Sequence, residues 1–372
     1  MSKIRAVIIG FSHTHCNEIA PYLIGQPDSE LVGVADTNSG LEKLPPLRFT
    51  PGWNFQNVTE NYCSNAFEDY RQMLDELKPD IAYILTDNAE KPQVIEECAK
   101  RGVHVCIEKP IALSMKEANK IDAAIKKHGI EAVVNWPIVW RPYVHQMKAV
   151  LDSGIIGTPI KLRYINGHSG PYGKGIFQRG VEGTDEETSY KMMTDEQRSK
   201  TWFHQKSRGG GAYLDVGGYG CFYSYWLLGK NPDSVMSYGL QLNTPFGDTE
   251  DDIAGIIKYP DNKMAVIEGT WTTPRAVIPS GPMVICTNGA VMCTGGAENN
   301  PGVAAFDMYG RPVAIPEINF EDKFKNMPWM WANHVNTGEP VYEMLTFETN
   351  LKVMAILEAL MRSNESGRTE HI

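Results

Sequence analysis

Short apolar runs alternating with helix-like stretches fill the first third of the chain, and that alternation dictates its fold class. Residues 4–9, 31–35, 81–85, 103–107 and 132–134 are too short for buried helices and are rich in β-branched side chains, so they read as strands. Strands separated by helical crossovers form a parallel sheet covered on both faces. Helix is predicted after the first strand through Tyr22 and Leu23, and over 66–77, 93–101 and 115–128. The last of these has the clearest limits, with Ser114 placed to cap it and Gly129 to end it. The stretch holding Pro45, Pro46, Pro51 and Gly52 reads as a loop.

Beyond residue 134 the pattern changes. Strand-like runs at 161–165, 234–242, 253–259, 264–270 and 284–287 are separated by turn signals such as Pro260-Asp261-Asn262 and Asn288-Gly289, which predicts a mostly antiparallel sheet. The expected class is therefore α/β, with an amino-terminal doubly wound domain over 1–134 and an α/β domain with an open, mostly antiparallel sheet over 135–372. The polar, glycine-rich stretch 168–201 reads as a long loop or insertion.

Doubly wound sheets bind ligands at the carboxyl ends of their strands. The first strand ends in Gly10-Phe11-Ser12-His13-Thr14-His15 and the second in Asp36. An acid at the end of the second strand is placed to accept hydrogen bonds from an adenosine ribose, which points to a dinucleotide. No arginine follows in Thr37-Asn38-Ser39-Gly40, and the carboxylate would repel a 2′-phosphate, so NAD is expected and NADP is less favoured. The glycine fingerprint is incomplete, since Gly10 is followed by Ser12 and His15 where glycines usually stand. Ser12 still permits a close backbone approach to pyrophosphate; His15 must lie beside the cofactor or widen the helix contact, and His13 shares that turn. His13 and His15, with Cys16, also offer a competing reading as a metal site. His104, His128, His145, His168, His204, His334 and His371 form no second cluster at ligand spacing, so no metal is expected.

A second chemical signal is Glu108-Lys109-Pro110, directly behind the fourth apolar run. Proline restrains the backbone there, so Lys109 is held at a strand end where ligands bind. A solvated charge pair would look the same in sequence. The rest of the composition narrows the setting: 372 residues, 42% hydrophobic, are enough for a large core, and a formal charge of −10 argues against nucleic acid or anionic membrane as partners. No apolar run reaches the ~20 residues of a membrane span. Met1-Ser2-Lys3 leads into a strand rather than a signal peptide, and the seven cysteines include no C-x-x-C pair. A cytoplasmic protein with reduced thiols is expected.

With Gly10, Asp36, Thr86-Asp87-Asn88, Glu108-Lys109-Pro110, Trp140-Arg141-Pro142, the run Gly209 to Gly217, Glu268-Gly269-Thr270-Trp271 and Glu339-Pro340-Val341, the chain resembles the Gfo/Idh/MocA oxidoreductases over almost its full length. The resemblance implies a Rossmann domain, an open-sheet α/β domain, and NAD(P)-dependent oxidation or reduction of CH–OH groups in sugars, polyols and related alcohols. It also implies that Thr86, Asn88, Glu108, Lys109 and Asn135 join Gly10, Ser12, His13, His15 and Asp36 at the cofactor, and that the chain forms a homo-oligomer through its carboxyl-terminal sheet.

One departure is informative. The common family pattern has aspartate and, four residues on, histidine; here the pair is Asp215 and Tyr219, similar to the glucose-fructose oxidoreductase and dihydrodiol dehydrogenase branches. A helix over 212–228, ended by Gly229, would put both on one face. Tyr219 is then the expected acid/base, with Lys109 as the cation a phenol of pKa ~10 needs to ionise near neutrality. Asp215 would orient a second hydroxyl, and Arg163, His168 and Trp202 are candidates to line the substrate pocket. Two rivals are a cofactor-dependent glycosidase or lyase that regenerates its NAD, and a non-catalytic cofactor-sensing regulator.

Overall fold

A computed structural model describes residues 3–37, 44, 47–172, 193–273, 280–295, 302–321 and 324–372. By packing, the chain forms two units. The first comprises Met1–Trp140, Glu196–Gly209 and Phe320–Met354, and the second Arg141–Asp195, Gly210–Asn319 and Ala355–Ile372. Two later segments thus join the expected amino-terminal domain in one packed unit.

In the first unit, β1 (Ile4–Ile9), β2 (Ser29–Ala35), β3 (Ala66–Phe67), β4 (Ile81–Ile84), β5 (His104–Glu108) and β6 (Ala132–Asn135) form one sheet in the order β3-β2-β1-β4-β5-β6. Every neighbouring pair is parallel. Strand order reverses between β1 and β4, and crevices open at the carboxyl side of such a switch. β4 is buried along its whole length and β1 at every residue but Arg5, which is why their sequences are almost continuously apolar.

The helices α1 (Cys16–Ile24), α2 (Pro51–Asn61), α3 (Tyr70–Leu77), α4 (Lys91–Lys100) and α5 (Met115–His128) connect these strands. α5 has the expected limits: Ser114 Oγ accepts from the Glu117 amide, and Gly129 closes the helix at φ 65°. Two expectations fail. The helix expected over 66–77 begins only at Tyr70, because Ala66 and Phe67 pair with Val34 and Ala35, and Asp69 caps α3 by accepting from the Arg71 amide. The expected proline loop contains α2, since Thr50 Oγ1 accepts from the Trp53 amide and Pro51 occupies the first turn, where its missing N–H leaves nothing unpaired. Pro45 and Pro46 lie outside the described residues.

The second unit starts with α6 (Pro142–Asp152). Its sheet is built from β7 (Pro159–Gly167), β8 (Ser234–Leu240), β9 (Asp252–Tyr259), β10 (Lys263–Thr270), β11 (Gly281–Cys286), β12 (Gly289–Thr294), β13 (Gly302–Asp307) and β14 (Glu370–His371), in the order β13-β12-β11-β7-β10-β9-β8-β14. All neighbours are antiparallel except β7 and β10, whose parallel pairing brings their carboxyl ends together. Asp261 and Asn262 both take positive φ in the β9–β10 turn, as a tight hairpin requires. Sequence reading places no strand at β12 or β13, and it ends β11 one residue late, at Thr287 in the turn.

A helical run through residues 212–228 (α7) lies on this sheet. Its middle is α-helical, Gly218–Tyr223, flanked by π-helical turns at Tyr213–Gly217 and Ser224–Leu228. Close packing explains its glycines: a Cβ on Gly220 would stand 2.9 Å from Ile267 side-chain carbons. Gly229 ends the run, at φ 154° and ψ 163°, and its amide donates to Ser224 O. Two further helices are α8 (Met327–Thr337) and α9 (Phe347–Ser366). Of the loop expected over 168–201, residues 173–192 lie outside the described residues and Asp195–Ser199 form a short helix.

Candidate active site

In the first unit, most residues expected at a cofactor gather where β1, β2, β4, β5 and β6 end. Gly10 has φ 83°, and a Cβ there would lie 2.5 Å from Thr86 Cγ2 and 2.8 Å from the Thr86 amide, so the turn tolerates no side chain. The turn is held by the His13 amide donating to Leu85 O at 3.1 Å and by Trp202 Nε1 donating to Ser12 O at 2.9 Å. Ser12 and His13 are buried, and His15 stands at the N-cap position of α1.

Glu108 organises these histidines. Its Oε1 lies 3.0 Å from His15 Nδ1 and 3.8 Å from His13 Nε2, while Oε2 accepts from Asn135 Nδ2 at 2.9 Å. Burial pushes the Glu108 carboxyl up, but His15, His13 and Lys109 outweigh it and hold the group at about 2. Burial likewise opposes charge on His15, and Glu108 overrides it, so His15 holds its proton more tightly than usual. The three ligand-type atoms lie within 4.8 Å of one another, close enough for a cation. The His15 amide donates to His13 Nδ1 at 3.3 Å, which in a neutral ring leaves the proton on Nε2, facing Glu108. Cys16 stands outside the cluster, and burial pushes its thiol far up.

Sequence reading misses Lys91. Its Nζ is buried and donates to Asn88 Oδ1 at 2.6 Å, Glu108 O at 2.6 Å and Pro110 O at 2.5 Å, matching three N–H donors to three oxygens. It ties the turn after β4 to the turn that carries Lys109, which is itself buried. Burial pulls the Lys91 ammonium down to about 7. A lysine at the start of a helix carries no sequence mark of such burial. Thr86 donates its hydroxyl to Asp87 O at 3.0 Å, and Asn88 Nδ2 donates to Gly209 O at 2.7 Å.

Asp36 ends β2 with its carboxylate accepting from the Thr37 amide at 2.9 Å and from the Phe11 amide. Burial pushes this carboxyl up to about 6; the two amides hold it down and the charge of Asp87 adds to the rise. Nearby, Arg208 ion-pairs with Asp87 and Glu90, and Thr37 Oγ1 donates to Glu90 Oε2 at 2.5 Å. A glycine turn with no room for a Cβ, a helix N-terminus beyond it and a partly desolvated acid at the end of β2 together fit NAD.

In the second unit, the π-helical turn of α7 carries Asp215, and Tyr219 follows four residues on; both are partly buried. Trp271 Nε1 donates to Asp215 Oδ2 at 3.0 Å, and His168 Nε2 stands 3.5 Å from the same oxygen. The phenol of Tyr164, which burial pushes well up, interacts electrostatically with Tyr219. Arg163 does not join this group. Strand alternation buries Leu162 and Tyr164 and turns Arg163 out, level with Val266 and Met283 on the open face. Trp202 packs in the first unit, on Ser12 and stacked with Phe203 at 3.9 Å. Trp271 belongs to a run that the sequence marks, yet nothing local to it signals a role at Asp215.

Comparison with known proteins decides the family. Residues 4–136 match the model of the oxidoreductase family with NAD-binding Rossmann fold, and residues 144–292 that of the GFO/IDH/MocA carboxyl-terminal domain. The chain belongs to the Gfo/Idh/MocA family. Among curated relatives of this Gfo/Idh/MocA protein, the uncharacterized oxidoreductase YrbE of Bacillus subtilis is 33% identical over 95 residues, which is 26% of the chain and only 28% of YrbE. The scyllo-inositol 2-dehydrogenase (NAD(+)) of the same organism is 26% identical over 276 residues, covering 73% of the chain and 68% of the enzyme. Aldose-aldose oxidoreductase from Caulobacter crescentus, solved with glycerol, shares the fold at a TM-score of 0.75 and 19% identity, with both chains fully covered. The chain is thus an NAD-binding oxidoreductase of this family. None of its described helices is long and apolar enough to cross a membrane.

Proposed function

We propose that this protein transfers hydride between NAD and a CH–OH carbon of a sugar, polyol or related alcohol, as a cytoplasmic homo-oligomer. The observation that carries the cofactor choice is Asp36: a carboxylate partly stripped of water at the end of β2, held by two amides, fits ribose hydroxyls and repels a 2′-phosphate. NAD, when bound, supplies the hydride acceptor or donor. Gly10 lets the backbone come close to it, and the Ser12–His15 turn is fixed by Glu108 and Trp202. Tyr219 exchanges the proton of the reacting oxygen, Lys109 contributes positive charge to that oxygen as it develops, and Asp215 orients a second hydroxyl. The relative that oxidises scyllo-inositol supports a polyol. Met236, Tyr238 and Ile256, apolar and exposed on the open face of the second sheet, support assembly through that sheet.

The test is a panel of inositols, aldoses and linear polyols with NAD and with NADP, followed at the absorbance of reduced nicotinamide. Net NADH formation with an oxidised product supports the dehydrogenase. Turnover without net NADH would favour the glycosidase or lyase, and cofactor binding without any turnover would favour the regulator. NAD should bind more tightly than NADP, and Asp36→Ala should narrow that gap; equal affinities in the unaltered protein would refute the reading of Asp36.

A further inference from the structure

Asp215 is met by residues that follow two different strands. β7 and β10 are parallel, with Gly167 level with Thr270, so the residues just past both strands emerge side by side. These are His168, whose amide donates to Thr270 O at 2.9 Å, and Trp271, whose amide donates to Asp251 O at 2.7 Å. Trp271 Nε1 donates to one carboxylate oxygen, Asp215 Oδ2, and His168 Nε2 stands 3.5 Å from the same oxygen. For His168 the tautomer follows from its other nitrogen: the Gly170 amide donates to Nδ1 at 3.1 Å, so in the neutral ring the proton sits on Nε2, facing Asp215. A ring whose Nδ1 accepts a backbone N–H and whose Nε2 already carries a proton has no lone pair to take a substrate proton. It serves as a donor.

We propose that His168 and Trp271 are specificity-determining residues: Trp271 holds Asp215 in one orientation, and His168 Nε2–H and the Asp215 carboxylate together read a substrate hydroxyl, the first donating to it and the second accepting from it. A hydroxyl is the group that satisfies both at once. A ketone oxygen or an ether offers the carboxylate no additional donor, and a methylene offers a partner to neither group.

This inference rests on the dehydrogenase reading, and the experiment separates the two. The best substrate from the inositol, aldose and polyol panel is compared with its singly deoxygenated analogues, in the unaltered protein and in Trp271→Phe, His168→Phe and His168→Gln. Sites built to hydrogen-bond a hydroxyl reject the analogue lacking it by large factors, so the unaltered protein should discriminate against one analogue by at least about 100-fold in kcat/KM. Trp271→Phe keeps an aromatic ring and removes the N–H; it and His168→Phe should each cut that discrimination about tenfold or more, through KM more than kcat. His168→Gln, which restores a donor, should recover part of it. A change in stability alone would lower activity on substrate and analogue alike and leave their ratio fixed. NADH binding, followed by its fluorescence, verifies that each variant is folded. Turnover with unchanged discrimination in both phenylalanine variants overturns this inference alone, whereas absence of turnover across the whole panel overturns the dehydrogenase reading and this inference with it.

Discussion

Glu108 and Asp36 are both carboxylates at the carboxyl ends of strands in the same parallel sheet, yet the first is held at about 2 and the second pushed up to about 6. The sheet positions them alike; their neighbours differ. Glu108 has two imidazoles, the Asn135 amide and Lys109 to compensate for lost water, whereas Asp36 has two backbone amides and the like charge of Asp87. A buried charge without an internal counter-charge is costly, and such groups gather where a ligand supplies what the protein does not. On the proposed function this amounts to a division of labour, in which Glu108 and Lys91 build the cradle and Asp36, Lys109 and Tyr219 are the groups that meet cofactor or substrate. Builders should register in stability, and ligand-facing groups in turnover or binding.

The largest effect that could break this division concerns Tyr219. Tyr219→Phe keeps the ring and removes the hydroxyl, so turnover should fall about 10²- to 10⁴-fold while the melting temperature barely moves. The rise of the oxidation rate with pH should vanish with it. Near-normal oxidation by this variant would make the phenol a packing group. Lys109→Ala should lower kcat by about 10²-fold with the fold intact, as expected for a cation lost from a developing oxyanion. Normal turnover in Lys109→Ala would place the lysine among the builders. By contrast, Lys91→Met strips donors from three buried oxygens. It should cost about 2–3 kcal/mol in urea unfolding and weaken NADH binding, and a variant as stable as the unaltered protein would count against the clamp.

How much of the molecule is legible in its sequence depends on the range of the interactions. The parallel sheet can be read because each of its central strands is a local apolar run, and α5 because its cap and stop are adjacent in sequence. α2 is hidden behind Pro51, a residue that usually breaks helices and here starts one. The Lys91 clamp and the gathering of His13, His15 and Glu108 depend on contacts across some 17 and 93 positions, which no local pattern encodes. His168 and Trp271 stand side by side at Asp215 because β7 and β10 run parallel in an otherwise antiparallel sheet, a pairing the strand pattern does not announce. Arg163 reads as a pocket residue in sequence, and strand alternation places it on the other face.

The smallest predicted effect tests the comparison at its origin. The rise in Asp36 from 3.8 to about 6 corresponds to about 3 kcal/mol against the folded state when the group is ionised, and partial exposure reduces that to about 1–2 kcal/mol. Above pH 6 the carboxyl is ionised in both folded and unfolded chains, so the folded state bears the whole penalty. As pH falls through about 6 the folded protein takes up the proton before the unfolded chain does, and by about pH 4 the penalty has gone. Asp36→Asn should therefore be the more stable protein by about 1–2 kcal/mol at pH 7.5, with the advantage shrinking steadily toward about pH 4.5 in urea titrations. Its preference for NAD over NADP should be weaker throughout, and in the unaltered protein that preference should decline as pH drops through about 6. Were the Asp36→Asn protein less stable at pH 7.5, or its stability difference indifferent to pH, the Phe11 and Thr37 amides would be compensating Asp36 as fully as the imidazoles compensate Glu108, and the contrast between the two carboxylates would collapse.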